Sequence, residues 1–135
     1  MAQINVIYVV HTTRNVRTAQ TDADFELIVT RPGGDLRRPF PELKHNERER
    51  GLTDSYQIEV RENLRPLEWN PATMDVRMRM TNTNDGWLPE SVFVIGQGPG
   101  GYHLIGAHSY WPTNKWFDRG SDAAGPDEHV ISGFT

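Results

Sequence analysis

Three acidic segments stand directly ahead of runs in which apolar and polar residues alternate: Thr21-Asp22-Ala23-Asp24, Glu49-Arg50-Gly51-Leu52-Thr53-Asp54 and Asn82-Thr83-Asn84-Asp85-Gly86. Carboxylates, side-chain amides and loop carbonyls are the ligands of a hard cation such as calcium, which takes about six to eight oxygens. Thr21, Asp22, Asp24, Glu49, Gly51, Asp54, Asn84 and Asp85 are therefore the candidate donors of a weak calcium site. The competing reading is structural, because Asp and Asn also make turns and cap loop ends through their own backbone. Arg14, Arg17, Arg48 and Arg50 lie in the same loops and would oppose a cation unless they point away. What separates the readings is whether the three loops meet.

Other chemistries find less support. Gly96-Gln97-Gly98-Pro99-Gly100-Gly101 has the glycine spacing of a dinucleotide-binding turn. Tyr102 to Gly106 then continues as strand, with no helix amino terminus to receive a pyrophosphate, so a glycine-rich hairpin is expected. The histidines at 11, 45, 103, 108 and 129 show no zinc spacing, and His103 and His108 would face opposite sides of an unbroken strand. No local grouping of nucleophile, base and orienting acid is present, so catalysis is not expected. A net charge of −4 argues against a nucleic-acid partner. There is no cysteine, so neither disulfides nor thiolate metal sites arise. No apolar run approaches the ~20 residues of a membrane span, and Met1 to Asn5 lack the start of an export signal, so a soluble chain is expected.

The elements that must position the loops have period two. Ile4, Val6, Tyr8 and Val10 alternate with a second, partly apolar set, as in a strand covered on both faces. Phe25-Leu27-Val29, Tyr56-Ile58-Val60 and Met74-Val76-Met78-Met80 each alternate with polar residues, as half-buried strands do. Further strands are expected over 91–95, 102–111 and 129–134, with a short one within 36–43. Gly and Pro clusters punctuate them, and no stretch has helical spacing. About eight strands in one domain over 1–135 indicate an all-β antiparallel β-sandwich. If the strands run alternately up and down, all three acidic loops fall at one end. This holds only if the weak strand near Leu36 exists.

In this order, these segments resemble those of the PLAT (LH2, lipoxygenase-homology) domain. Thr21-Asp22-Ala23-Asp24-Phe25 is similar to the family's Gly-Thr-Asp-Ala-Asn-Val, and Glu49 to Tyr56 is similar to its Glu-Arg-Gly-Ser-Thr-Asp-Thr-Phe. Gly86-Trp87 with Ser91 to Val94 resembles its tryptophan-led strand, and Pro112 to Phe117 its closing Pro-Cys-Asn-Arg-Trp-Leu. Gln20 stands where the family has glycine, and Asn82-Thr83-Asn84 where it has His-Asp-Asn, one carboxylate fewer. The resemblance covers roughly residues 3 to 134. It implies two four-stranded sheets, a docking rather than catalytic role, and often calcium at the loop end.

The resulting expectation is a non-catalytic module that docks to a lipid or membrane surface or to a protein partner, with calcium as a possible aid. The alternatives are a calcium-independent assembly module and, more distantly, a carbohydrate binder. Trp87 and Trp116 are expected as core anchors, with Val6, Tyr8, Phe25, Leu27, Tyr56, Ile58, Val92 and Val94. Trp69 is the one aromatic expected as an exposed platform. Val16 and Leu52 are the apolar residues of the loop end and form a poor membrane wedge.

Overall fold

In the computed structural model, residues 1–43, 47–82, 86–119 and 126–135 are described; Asn84 and Asp85 lie outside them. Alternation has become strand throughout: β1 (Ala2–Ile4), β2 (Val6–Thr13), β3 (Phe25–Thr30), β4 (Leu36–Pro39), β5 (Thr53–Glu59), β6 (Leu67–Trp69), β7 (Asp75–Met80), β8 (Pro89–Gly98), β9 (Gly101–His108), β10 (Glu128–Val130) and β11 (Gly133–Phe134). Among the described residues there is no helix.

The strands form a four-stranded sheet, β10-β7-β3-β4, and a five-stranded sheet, β11-β9-β8-β2-β5, with β1 and β6 paired as a two-stranded ribbon. This is the expected antiparallel sandwich, with more strands than eight. The first apolar run breaks at Asn5, because β1 leaves the large sheet to pair Ala2 with Trp69. Gly98 permits that departure: a Cβ there would lie 1.8 Å from the Gln3 carbonyl oxygen. Parallel pairing of the two-residue β11 with β9 adds the fifth strand.

The core lies between the two main sheets. Phe25, Leu27 and Val29 of β3 and Val76, Met78 and Met80 of β7 face Ile7 and Val9 of β2, Tyr56 and Ile58 of β5, and Val92 and Val94 of β8. Phe25, Trp87, Trp111 and Phe117 close it at the loop end, in ring contacts of 5.3–5.9 Å.

Several expectations are corrected here. Val6 and Tyr8 point out of the core, and Ile7 and Val9 point in. Both phases of β2 are apolar, so alternation alone could not orient it. Pairing does: Ile7 sits opposite Ile58 and Val9 opposite Tyr56, while Val6 and Tyr8 meet polar Glu59 and Gln57. Trp116 is only partly buried; Trp111 and Phe117 take the central places. Trp69 is 6% exposed, packed in the core as part of β6, so it offers no platform for a sugar. His103 and His108 pair with Gly96 and Val92, two positions on one face of β8. A bulge between Val94 and Ile95 adds a residue to β9 and brings both histidines to the same side.

The two sheets treat solvent differently. The outward side of β3, β4, β7 and β10 is laced with ion pairs, among them Arg37–Glu26 at 2.6 Å, Arg77–Glu128 at 3.0 Å and Arg79–Asp127 at 3.3 Å. The outward side of the five-stranded sheet is largely apolar on β2, β8 and β9, while the edge strand β5 of that sheet turns Thr53, Ser55, Gln57 and Glu59 outward. The register of the sheet sets Tyr8, Ile95 and Leu104 in one row and Val10, Phe93, Ala107 and Phe134 in the next.

Candidate functional site

The short β4 does exist, so β3 and β5 both begin at the end where β2 and β7 finish, and the first two acidic loops meet there with Asn82, the described start of the third. Their contacts are backbone-led. Gly51 donates its N–H to the Thr13 carbonyl at 2.8 Å, in a turn that uses its φ of 78°. Thr13 N–H returns a bond to the Leu52 carbonyl at 3.0 Å. Thr21 N–H reaches the Arg48 carbonyl at 3.3 Å, joining the first loop to the second. Asn82 clips the third loop to the first: its Oδ1 accepts the Asp24 N–H at 2.7 Å and its Nδ2 donates to Asp24 Oδ2 at 2.8 Å.

The candidate donors divide by direction. Asp54 lies on the inward side of β5 and is 2% exposed; its Oδ2 accepts the Arg48 backbone N–H at 2.7 Å. It braces the second loop from beneath. Thr21 is buried, and its Oγ1 accepts the Ala23 N–H at 3.1 Å. Asp24 is held by Asn82. Asp22 and Glu49 face outward across a cleft of about 450 Å³, which Arg17 and Arg50 also line. A smaller cleft of about 260 Å³ lies between Thr21 to Asp24 and Glu42, Glu47 and Arg48. Among the described residues no three His, Asp or Glu side chains form a group that could hold a metal. The described residues therefore do not fit a calcium ion by themselves: two carboxylates face the larger cleft, and two guanidinium groups share its rim.

Below the rim is a buried polar array that sequence reasoning did not anticipate. Arg48, expected only as an obstacle to a cation, turns inward at a positive φ of 54°. Its guanidinium lies 4.4 Å from the Phe25 ring centre and 5.0 Å from that of Tyr56, and Nη1 donates to the Ala23 carbonyl at 3.3 Å. Nε and Nη2 have no partner among the described residues. Burial pulls this guanidinium below its ordinary value, opposed by Tyr56, Glu47, Asp54 and Asp24. Tyr56 donates its hydroxyl to Glu47 at 2.7 Å, and burial raises its own ionisation well above the usual phenol. His11, opposite Asp54 in the register, is fully buried between Tyr56 and Trp87, and neither ring nitrogen has a partner among the described residues. Burial, then the Arg48 charge, lowers its pKa to about 3, with Asp54 opposing. Arg14 is likewise turned in, donating to the Trp111 and Pro89 carbonyls. The legible signal was period two: His11 and Asp54 each occupy an inward position of an alternating strand.

A larger cleft, about 830 Å³, lies at the opposite end between Arg31 and the segment Glu62 to Asn70. Its Arg31 is already paired with Glu62 at 2.8 Å, and size is its main distinction.

No protein-family model matches the sequence, and no curated protein does. Solved structures do. Alpha-toxin of Clostridium perfringens, avian strain SWCP, superposes with a TM-score of 0.70 at 17% identity, over 97% of this chain and 32% of the toxin. Alpha toxin from Clostridium absonum gives 0.65 at 17%, over 96% and 32%. A coral 8R-lipoxygenase, described as activated by calcium through a C2-like domain, gives 0.59 at 14%, over 94% and 16%. The chain has a PLAT-like fold. It spans a third or less of each of these proteins, so the PLAT-like sandwich corresponds to one part of them and the likeness is one of fold.

Proposed function

We propose that this PLAT-like chain is a non-catalytic docking module that meets a polar protein surface through its loop-bearing end. The observation that carries the reading is the rim of the 450 Å³ cleft. Arg17, Arg50, Asp22 and Glu49 come from two segments that are tied to one another through backbone hydrogen bonds. Carboxylates and guanidinium groups sharing one braced rim suit recognition of a complementary charged surface. The apolar residues there, Val16 at 43% and Leu52 at 51% exposure, are too few to wedge into a bilayer. His11, beneath the loops, is fully buried and sealed from any substrate, which supports a role without chemistry.

The test is a double charge reversal, Arg17→Glu with Arg50→Glu. A partner captured by the wild-type chain should be lost by this variant, while binding to vesicles of mixed phosphatidylcholine and phosphatidylserine should be absent for both. Vesicle binding that the double variant loses would replace the protein reading with a lipid one.

A second reading, calcium-assisted docking to a lipid surface, is favoured by the meeting of the loops that carry the candidate donors and by the coral lipoxygenase likeness. Its donors would be Asp22 and Glu49 on the rim, with Asn84 and Asp85 close in sequence to the Asn82 clip. Calcium in the tens of micromolar to millimolar range should then raise thermal stability, and Asp22→Asn should weaken the response. No shift with calcium removes this reading.

A further inference from the structure

We propose that the outer face of the five-stranded sheet is a homodimer interface, against which a second copy of this chain packs its own five-stranded sheet. Tyr8, Ile95 and Leu104 form one row of this face and Val10, Phe93 and Phe134 the next, held by strand register. Leu104 is 55% and Phe134 65% exposed, on a sheet whose opposite number in the sandwich carries a continuous lattice of ion pairs. One chain thus contains both a sheet face suited to water and one that is not. Contiguous exposed apolar surface of this kind marks an interaction site.

Charge selects the occupant. No Asp, Glu, Lys or Arg occupies an outward position of β2, β9 or β11, or an outward position of β8 between Ser91 and Gln97. An anionic lipid surface would find no cation to hold its headgroups, and a charged protein surface no complement. A second copy presents the same uncharged rows, so two chains of like net charge approach without repulsion at the contact. The geometry also allows it, because sheets stack face to face at about 10 Å with strands about 30° apart. The strands without outward charge, β2, β8, β9 and the short β11, rising about 3.3 Å per residue and lying roughly 4.8 Å apart, give a planar footprint of about 450 Å² on each copy. The two together reach about 900 Å², the size of a weak, reversible association rather than a permanent one. Such an association is isologous, across a twofold axis lying in the plane between the sheets.

Sedimentation velocity of the whole chain, from about 1 μM to about 500 μM, reads the result. The expected outcome is a monomer–dimer equilibrium that Leu104→Glu weakens at least about tenfold, with Phe134→Asp acting likewise. Arg37→Glu, on the ion-paired sheet, and the Arg17→Glu, Arg50→Glu pair at the loop end should leave it unchanged, which keeps this proposal separable from the loop reading. Unaltered circular dichroism of the face variants excludes unfolding as the cause. A wild-type chain that stays monomeric throughout, or a dimer indifferent to both face variants, overturns the proposal. So does binding of a monomeric chain to phosphatidylcholine vesicles that Leu104→Glu abolishes, since the face would then serve lipid.

Discussion

Acid should destabilise this protein through His11, and the size of the effect follows from where the ring sits. The imidazole is fully buried, its nitrogens have no partner among the described residues, and its pKa falls from 6.5 to about 3 on folding. The folded state therefore binds fewer protons than the unfolded chain between these values, and stability must drop as pH falls through that window. Each unit is worth about 1.4 kcal/mol, so at about pH 5, some 1.5 units below the unfolded value, about 2 kcal/mol is lost relative to about pH 8. His129, also lowered, mainly by burial, adds to the same arm, so the wild-type curve alone cannot isolate His11. His11→Phe can: it keeps a ring against Trp87 and Tyr56 and removes one titration. Urea denaturation of both proteins at about pH 8 and pH 5 should show the wild type losing about 2 kcal/mol more than the variant. Equal losses would mean that His11 protonates in place, and the sealed position assigned to it would be wrong.

Asp54→Ala should cost about 1–3 kcal/mol at neutral pH, with or without calcium, because it strips the acceptor from the buried Arg48 N–H; chemical denaturation measures this, and a neutral result would free Asp54 for a role as ligand. Phe117→Ala should cost about 3–5 kcal/mol, as for other fully buried rings, while Trp116→Ala costs clearly less, since its side chain is only partly buried. The reverse order would restore Trp116 as the anchor. Gly98→Ala should destabilise measurably, because its methyl would collide with backbone rather than with a yielding side chain; an unchanged melting temperature would show that β1 can move aside.

Much of the fold was legible because three strands, from both sheets, carry their core residues in one phase. In β5 and β7 the apolar residues occupy a single phase, and in β3 all but Ile28 do, so Phe25, Leu27, Tyr56, Ile58, Val76, Met78 and Met80 could be assigned inward from alternation. The hairpin at Pro99-Gly100 was legible for a similar local reason: glycines without a following helix turn a strand, and β8 and β9 meet across them. Even the convergence of the loops could be argued from strand direction, given the short strand at Leu36.

What lay beyond sequence is whatever depends on partners distant along the chain. In β2 both phases are apolar, and only pairing with β5 turned Ile7 inward and Val6 outward, which is also why the apolar outer face went unseen. Trp69 looked like an exposed link until β1 covered it from 67 residues away. Asp54 and Arg48 carry charges that sequence assigns to solvent. Their burial follows from loop closure over Phe25 and Tyr56, where aromatic faces and a backbone N–H replace water. Residue type and period establish strands and, where only one phase is apolar, their faces, because a pleat alternates whatever it packs against. Which polar group is sealed, which apolar face remains uncovered, and which carboxylates reach the rim depend on tertiary contact, because desolvation is a property of the neighbours.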